Sequence, residues 1–335
     1  MRRLLALVPV LPGVVGLAFL LTRLLPGDPA VFLADNPAAD AATVAALRAR
    51  LGLELPLWRQ FLDYLGQLAR GDLGVSLSTG RPVLEELLAR LPASAELVLA
   101  GFALAVAAAV PLGVLAALRP GGLADGLCRV VGTLGLALPA FVSGLLLAGV
   151  FYLHLGWAPE PVGRLDPFAL PPPVVSGFMT LDTLLAGDVA GWRDSVAHLA
   201  LPAATVALFS FAPLARATRG AMLEVLGRDF IRAARAHRLS ARRVVLSYAL
   251  RNAALPVLTT MGMVFSGLLG ANVLVERVFA WPGLGSFAMD ALLQLDFAAV
   301  QGFVLLMAGL FLLVNLVVDL VCAWVDPRAG LLPDA

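Results

Sequence analysis

RGAMLEVLGRDFIRAARAHRLSARRVVLSYALRNAALP, residues 219–256, is the stretch from which the rest of the chain is best read. It is the only long polar interval in the second half, and apolar runs of membrane-spanning length flank it. Arg219, Arg228, Arg232, Arg235, Arg238, Arg242, Arg243 and Arg251 face only two acids, Glu224 and Asp229. Its apolar residues keep helical spacing, which places Met222, Leu226, Phe230, Ala233, Ala234 and His237 on one face. Ser240 is placed to N-cap a second short helix, Ala241 to about Arg251, with Val244, Val245 and Tyr248 as its apolar side. The spacing therefore predicts a helix-turn-helix with one apolar and one basic surface, a shape suited to being held by a partner.

The composition fixes the setting. Of 335 residues, 60% are hydrophobic and 14% charged, with a mean hydropathy of +0.90. Soluble domains carry roughly a quarter charged residues, so this is an integral membrane protein. All 24 basic residues are arginine. Without lysine there is no P-loop lysine and no Schiff-base lysine, which excludes a standard nucleotide hydrolase. Cys128 and Cys322 are far apart and read as unpaired thiols, not a disulfide framework.

Six apolar segments have the roughly 20 residues a bilayer crossing needs: near Leu4–Thr22, Leu97–Leu118, Val130–Leu155, Val196–Ala215, Val257–Leu274 and Val300–Val325. A cleaved signal peptide competes for the first. Its apolar run exceeds a usual signal core, and Arg23-Leu-Leu-Pro-Gly-Asp replaces a small-x-small cleavage site. Arg2, Arg3, Arg119, Arg129, Arg216 to Arg251, and Arg328 all fall on one side. By the positive-inside rule both termini are cytoplasmic. The expected partition is a first span over 1–25, an extracytoplasmic segment over 26–96, a five-helix core over 97–325 containing the cytoplasmic loop 216–256, and a tail over 326–335.

The outer segment has its own helical patterns. Thr43–Leu51 and Leu57–Leu68 are amphipathic, and Pro82 opens a third helix running towards span two. Gly156–Ser195 begins as a proline-rich ordered loop. Leu181–Leu185 and Trp192–His198 are expected to form short interfacial helices within it. No duplicated halves are visible, hence no inverted repeat of the kind many secondary transporters show.

Catalytic constellations are scarce. His154, His198 and His237 are scattered, with no HExxH or other ligand spacing, and there is no GxSxG elbow. Glu276–Arg277 reads as a headgroup-level pair at the outer end of span five. Asp319, near Asn315 in span six, reads as a polar contact between helices or a pathway group. Gly262, Gly267 and Gly270 in span five permit close helix approach, and Pro139, Pro202 and Pro213 permit bends. Pro139, Met261, Phe265, Asn272 and Asp319 are the candidate pathway residues.

The basic stretch resembles the EAA-type loop of ATP-binding-cassette importer permeases, most closely that of the dipeptide/oligopeptide/nickel branch. The resemblance covers nearly the whole chain. RLLPGDPA (23–30), RLGLELPLWRQFLDYL (50–65), RGDLGVSLSTGRPV (70–83), RLPASAELVLA (90–100) and VPLGVLAALRPG (110–121) come in the family's order. LGLALPAF (134–141), LRNAALPVLT (250–259), ERVFAWPGLGSFAMDAL (276–292) and NLVVDLVCAWVDPR (315–328) follow.

It implies an all-α type I importer permease with six transmembrane helices in a bacterial or archaeal inner membrane. It implies a second permease beside it, a homologue or a second copy, with two cytoplasmic ATPase subunits that hydrolyse the ATP. An extracytoplasmic binding protein would deliver peptide, or alternatively a nickel chelate or another small solute. No cofactor, metal or nucleic acid is implied.

The helix matching Leu223–Ala236 would be the coupling helix. Leu223, Leu226, Asp229, Phe230, Arg232, Ala233, Ala234, Arg235, Ala236, Arg238, Leu239 and Ser240 would be the ATPase-coupling residues. Two departures stand out. Arg238 occupies the family's glycine before Leu-Ser, where a left-handed turn costs an arginine about 1 kcal/mol. Arg232 precedes Ala233-Ala234 where the motif's acid would be. A stand-alone secondary transporter is the rival class, and it would need coupling carboxylates within the spans.

Overall fold

The computed structural model describes residues 10–24, 41–50, 52 and 54–325. The start of the expected first span, the RLLPGDPA block beyond Leu24, and the tail 326–335 lie outside them. The described residues form α1 (Val10–Leu24), α2 (Ala41–Arg50), α3 (Leu57–Ala69), α4 (Val83–Leu118), α5 (Leu123–Ala137) and α6 (Ala140–Ala148, continued by a wide π turn over Gly149–His154). There follow α7 (Met179–Leu185), α8 (Val189–Leu226), α9 (Asp229–Ala236), α10 (Ala241–Val278, with a π segment over Val244–Leu250), α11 (Leu284–Leu293) and α12 (Phe297–Val325). No strand occurs among the described residues. The nearest to one is a single antiparallel bridge between Val75 and Pro82.

By length and composition α4, α8, α10 and α12 can cross a membrane. The expected third span, Val130–Leu155, is not one helix. Pro139 sits in an extended conformation as N-cap of α6 and separates it from α5, because its ring and missing N–H prevent the ladder from continuing. The expected outer helix after Pro82 and the second span are one 36-residue helix, α4. Trp192–His198, expected as a separate interfacial helix, is the first part of the 38-residue α8, which Asp188 caps by accepting from the Gly191 N–H at 2.9 Å. Pro202 and Pro213 lie inside α8 without ending it.

The chain divides into two compact units, Met1–Pro92 with Pro282–Leu312, and Ala93–Trp281 with Leu313–Ala335. In the first, Val83 and Leu87 pack with Leu284, Phe287, Ala291 and Ala299. Asp296 there accepts from Ser76 Oγ (2.6 Å), Ser78 Oγ (3.1 Å) and Ser78 N (3.2 Å), and caps α12 through the Ala299 N–H (3.1 Å). Phe19 of α1 stacks against Phe61 and Tyr64 of α3 at 5.2 and 5.9 Å. Burial pushes the Tyr64 phenol up to about 12.

In the second unit α8 is the hub, packing on α5, α6, α7 and α10. Small residues set its distances. A Cβ at Gly101 of α4 would stand 2.5 Å from Val206 Cβ, so α4 and α8 touch where only hydrogen fits. Buried hydroxyls of Thr205, Ser210 and Thr218 donate back to the carbonyls of Leu201, Val206 and Leu214, so they add no unpaired donor to an apolar helix.

The loop between α6 and α8 is held by carboxylates. Glu96 accepts from the Arg164 guanidinium, Thr180 Oγ1 (2.6 Å), Thr180 N (2.8 Å) and Met179 N (3.2 Å). Asp182 accepts from Ser176 N and Oγ (2.7 Å each) and from Gly177 N (2.9 Å). Burial raises the Asp182 carboxyl, but those hydrogen bonds together outweigh it and leave the group below the usual carboxylate range.

Candidate functional site

The 219–256 stretch folds into the end of α8, the short α9 and the start of α10. It is not the single amphipathic helix that the apolar spacing predicts. α8 ends at Leu226, Arg228 turns extended, and α9 starts afresh at Asp229, which changes the phase of the faces. Ile231 (0% exposed) and Ala234 point into a core made with Ala221, Met222 and Val225 of α8, Val114 and Ala117 of α4, and Val244, Ala249, Ala253 and Val257 of α10. Phe230 (38% exposed), Ala233 and His237, expected on the same face as Ala234, are exposed instead. Ala234 supports the helix from inside the chain's own core. The outward rim is Phe230, Arg232, Ala233, Arg235 and Ala236.

Two local ion pairs occupy the acids of the stretch: Glu224 with Arg228, and Asp229 with Arg232 at 2.7 Å. As exposed pairs each contributes at most about 1 kcal/mol. Arg235, Arg238, Arg242 and Arg243 are left without a balancing acid within the stretch, so the rim is apolar at its centre and positive around it. Leu223, Leu226 and Leu239 are half-buried and pack on the core beneath. Ser240 N-caps α10, its hydroxyl accepting from Arg243 N at 3.4 Å. The expected second short helix, ending near Arg251, instead continues without interruption to Val278.

Arg238 adopts φ +54°. The hydrogen bonds are those of a Schellman turn: Leu239 N to Ala234 O (3.3 Å) and Arg238 N to Arg235 O (2.9 Å). The chain thus keeps the glycine's backbone shape and bears the strain of a side chain there. Arg238→Gly is expected to raise stability by about 1 kcal/mol, measured as a higher midpoint of thermal unfolding in detergent. Ala280 (φ +47°) and Leu295 (φ +55°) close α10 and α11 with the same turn.

The base of this region is tied to the loop after α4. Asp125 is buried and accepts from Arg219 Nε (2.7 Å) and Nη2 (3.3 Å), and from Gly121 N (2.9 Å). The Gly121 N–H, then the Arg219 guanidinium, hold its carboxyl below the usual range. Sequence spacing does not reveal this pair, whose members are 94 positions apart.

The candidate pathway residues do not form one surface. Met261 and Phe265 are half-buried and line an apolar cavity of about 210 Å³ with Phe102, Gly262, Val318 and Cys322. Asn272 (3% exposed) donates to Glu276 Oε1 at 2.8 Å, and the same oxygen accepts from Ser94 Oγ at 2.6 Å. Glu276 is therefore a buried acceptor between helices, not a side chain exposed at headgroup level. Pro139 is exposed and Asp319 half-buried; neither lines that cavity. Beyond Leu250, the residues of α10 left exposed are Asn252, Pro256, Thr259, Met263 (76%), Gly267, Gly270, Leu274 and Arg277, with Arg251 at the start. From Asn252 on they recur every three or four positions, a single stripe. Among the described residues no cluster of metal-ligating side chains is present.

Comparison with known proteins agrees with this arrangement. Residues 109–330 match the model of the family described as binding-protein-dependent transport system inner membrane component. The chain is 44% identical over 98% of its length to a probable D,D-dipeptide transport system permease protein of Escherichia coli (strain K12), covering 96% of that protein. It is also 44% identical, over 98% of its length and 97% of the relative's, to a di/tripeptide transport system permease protein of Pseudomonas aeruginosa (strain UCBPP-PA14). A glutathione transport system permease protein of Escherichia coli O6:H1 is 37% identical, over 97% of this chain and 96% of that one. With a family model covering well over half of its residues and relatives aligned from end to end, the chain belongs to the inner membrane components of binding-protein-dependent transport systems.

Proposed function

We propose that this chain forms half of the translocation path for short peptides in an ATP-driven importer, and that α9 is where an ATPase subunit grips it. The carrying observation is the construction of α9: Ile231 and Ala234 anchor it in the chain's own core, while an apolar centre of Phe230 and Ala233 faces outward within a ring of arginines. A buried apolar anchor with charged surroundings is how an interface gains affinity at its centre and orientation at its rim. Asp229, Arg232, Arg235, Ala236, Arg238 and Ser240 belong to that surface. Leu223, Leu226, Ala234 and Leu239 act beneath it. The three relatives described above are named for the transport of D,D-dipeptides, di/tripeptides and glutathione, and peptide is accordingly the cargo proposed here.

In this reading the chain crosses the membrane six times. α1 and the broken pair α5–α6 supply the crossings beyond the four long helices, and both termini are cytoplasmic. A homologous permease or a second copy stands beside it, two ATPase subunits sit below, and a binding protein docks outside. Hydrolysis of ATP occurs on the ATPase subunits.

The test uses the Phe230→Glu/Ala233→Glu double variant, co-expressed with the partner subunits. The ATPase subunits should no longer co-purify, and ATP-dependent uptake of a labelled dipeptide should fall more than tenfold, while thermal unfolding of the permease stays unchanged. An intact complex with normal uptake would sink the docking assignment. Uptake into vesicles driven by an ion gradient without ATP would instead favour a secondary transporter.

A further inference from the structure

The π segment Val244–Leu250 lies between α9 and the membrane part of α10. π turns are uncommon, because the wider ring packs its backbone less well than an α turn, and they recur at functional sites. This one is not a frayed end, since helix continues on both sides of it within Ala241–Val278. Its inner residues Val244 and Ala249 are buried in the core that carries Ile231 and Ala234 of α9. Its outer residues Leu246 and Ser247 are exposed.

Two further features mark the ladder just beyond it. Asn252 Nδ2 donates to the Tyr248 carbonyl at 2.7 Å, adding a side-chain donor to a helix carbonyl. Pro256 has no N–H to offer the Asn252 carbonyl. Residues 244–256 therefore form a stretch in which the backbone ladder departs from a regular α-helix twice, at the π segment and at Pro256, directly between the proposed grip and the proposed path.

We propose that this stretch is the joint through which movement of α9 reaches the membrane helix. A π turn accommodates one residue more than an α turn over the same axial length. If that surplus residue migrates along the helix, the side chains it passes shift by one position. Those residues turn by roughly 100° of helical phase and advance by about 1.5 Å, while the helix beyond the point it reaches keeps its phase. The exposed stripe of Met263, Gly267, Gly270 and Leu274 follows the joint on the same helix, so a surplus residue that travels on through it would change what the stripe presents. The joint rests on the reading of α9 as the docking element, and its test separates the two.

The experiment removes Ser247, which lets the segment close into a regular α-helix while both flanks keep their places. Pro256→Ala serves as a second variant that restores an N–H without changing length. Ser247→Ala is the control. Each full-length variant is purified with its partner subunits and assayed for co-purification, basal ATPase rate, stimulation by peptide-loaded binding protein, and uptake.

The joint predicts that the Ser247 deletion and Pro256→Ala retain the ATPase subunits and a basal rate within about twofold of wild type. Both should lose stimulation and at least tenfold of uptake, with Ser247→Ala normal. If the deletion does not fold, Pro256→Ala alone decides. Uptake within twofold of wild type in the folded variants overturns the proposal. So does loss of the ATPase subunits from them, which would make the segment part of the docking surface. If wild type carries no ATPase subunits, the docking reading has failed, and the joint with it.

Discussion

Glu96→Ala is expected to destabilise the membrane unit by about 3–5 kcal/mol, the range for removing one partner of a buried ion pair. Glu96 is 4% exposed and receives four donors, one of them the guanidinium of the largely buried Arg164. The substitution strands that charge and also leaves the Met179 and Thr180 N–H groups without their acceptor, a separate cost of roughly 1–3 kcal/mol each if water does not reach them. Glu96→Gln keeps an acceptor but loses the charge, so its effect should fall between wild type and alanine. The readout is the thermal midpoint in detergent, together with limited proteolysis of the loop between α6 and α8. If the alanine variant melts with wild type and the loop resists protease, the four hydrogen bonds are not what holds it.

The second large effect is steric. A Cβ on Gly262 would come within 2.3 Å of Val318 Cγ1 and 2.8 Å of Cγ2, where α10 and α12 cross. Valine on a helix has essentially one χ1 rotamer and cannot swing aside. Gly262→Ala should therefore cost about 1–3 kcal/mol by overpacking, and Gly262→Leu more. The decisive variant is the double change Gly262→Ala/Val318→Ala, which removes both γ carbons that collide. It should be markedly more stable than the sum of the single effects predicts, because the two residues share one contact. Strict additivity would show that the helices simply move apart. The neighbouring pair Ser266 Oγ to Asn315 Oδ1, at 3.2 Å on the same two helices, reports such movement if its loss accompanies Gly262→Ala.

Much of the fold can be read from composition and period. A hydrophobic content of 60% with one basic interval foretells a membrane protein with a polar helical interval, and Ser240 announces the start of α10. At Arg238 the sequence leaves open a differently shaped turn or a strained one, and the structure has the strained one, with positive φ despite the side chain. The break at Gly227–Arg228 is hidden, because Met222, Leu226, Phe230 and Ala234 keep a four-residue interval across it. A stripe that continues in phase looks like one helix, and Ile231, the true anchor, falls off that stripe. The break at Pro139 is hidden by length, since an apolar run of that size fits one long helix or two short ones. At Glu276 the sequence shows only part of the surroundings, for a third reason. Its sequence neighbour is an arginine, but a partner that matters, Ser94, lies 182 positions away. Local pattern reports local geometry, and polar contacts between distant helices leave no trace in it.

The interruption at Pro139 bears on how the polypeptide is born. α5 has 15 residues, and Ala140–His154 is likewise too short to traverse roughly 30 Å of hydrocarbon. On the six-span reading proposed above, the insertion machinery accepts the two as a single hydrophobic passenger. Once released into lipid, that passenger carries a turn whose carbonyls and N–H groups have no water to satisfy them, and Pro139 itself stays uncovered on the solitary chain. Such a turn is tolerated only when protein or an aqueous channel closes over it. If the proposed partner subunits supply that cover, a cell that makes the chain without them is expected to clear it quickly, as pulse-labelling in the absence of those subunits would reveal.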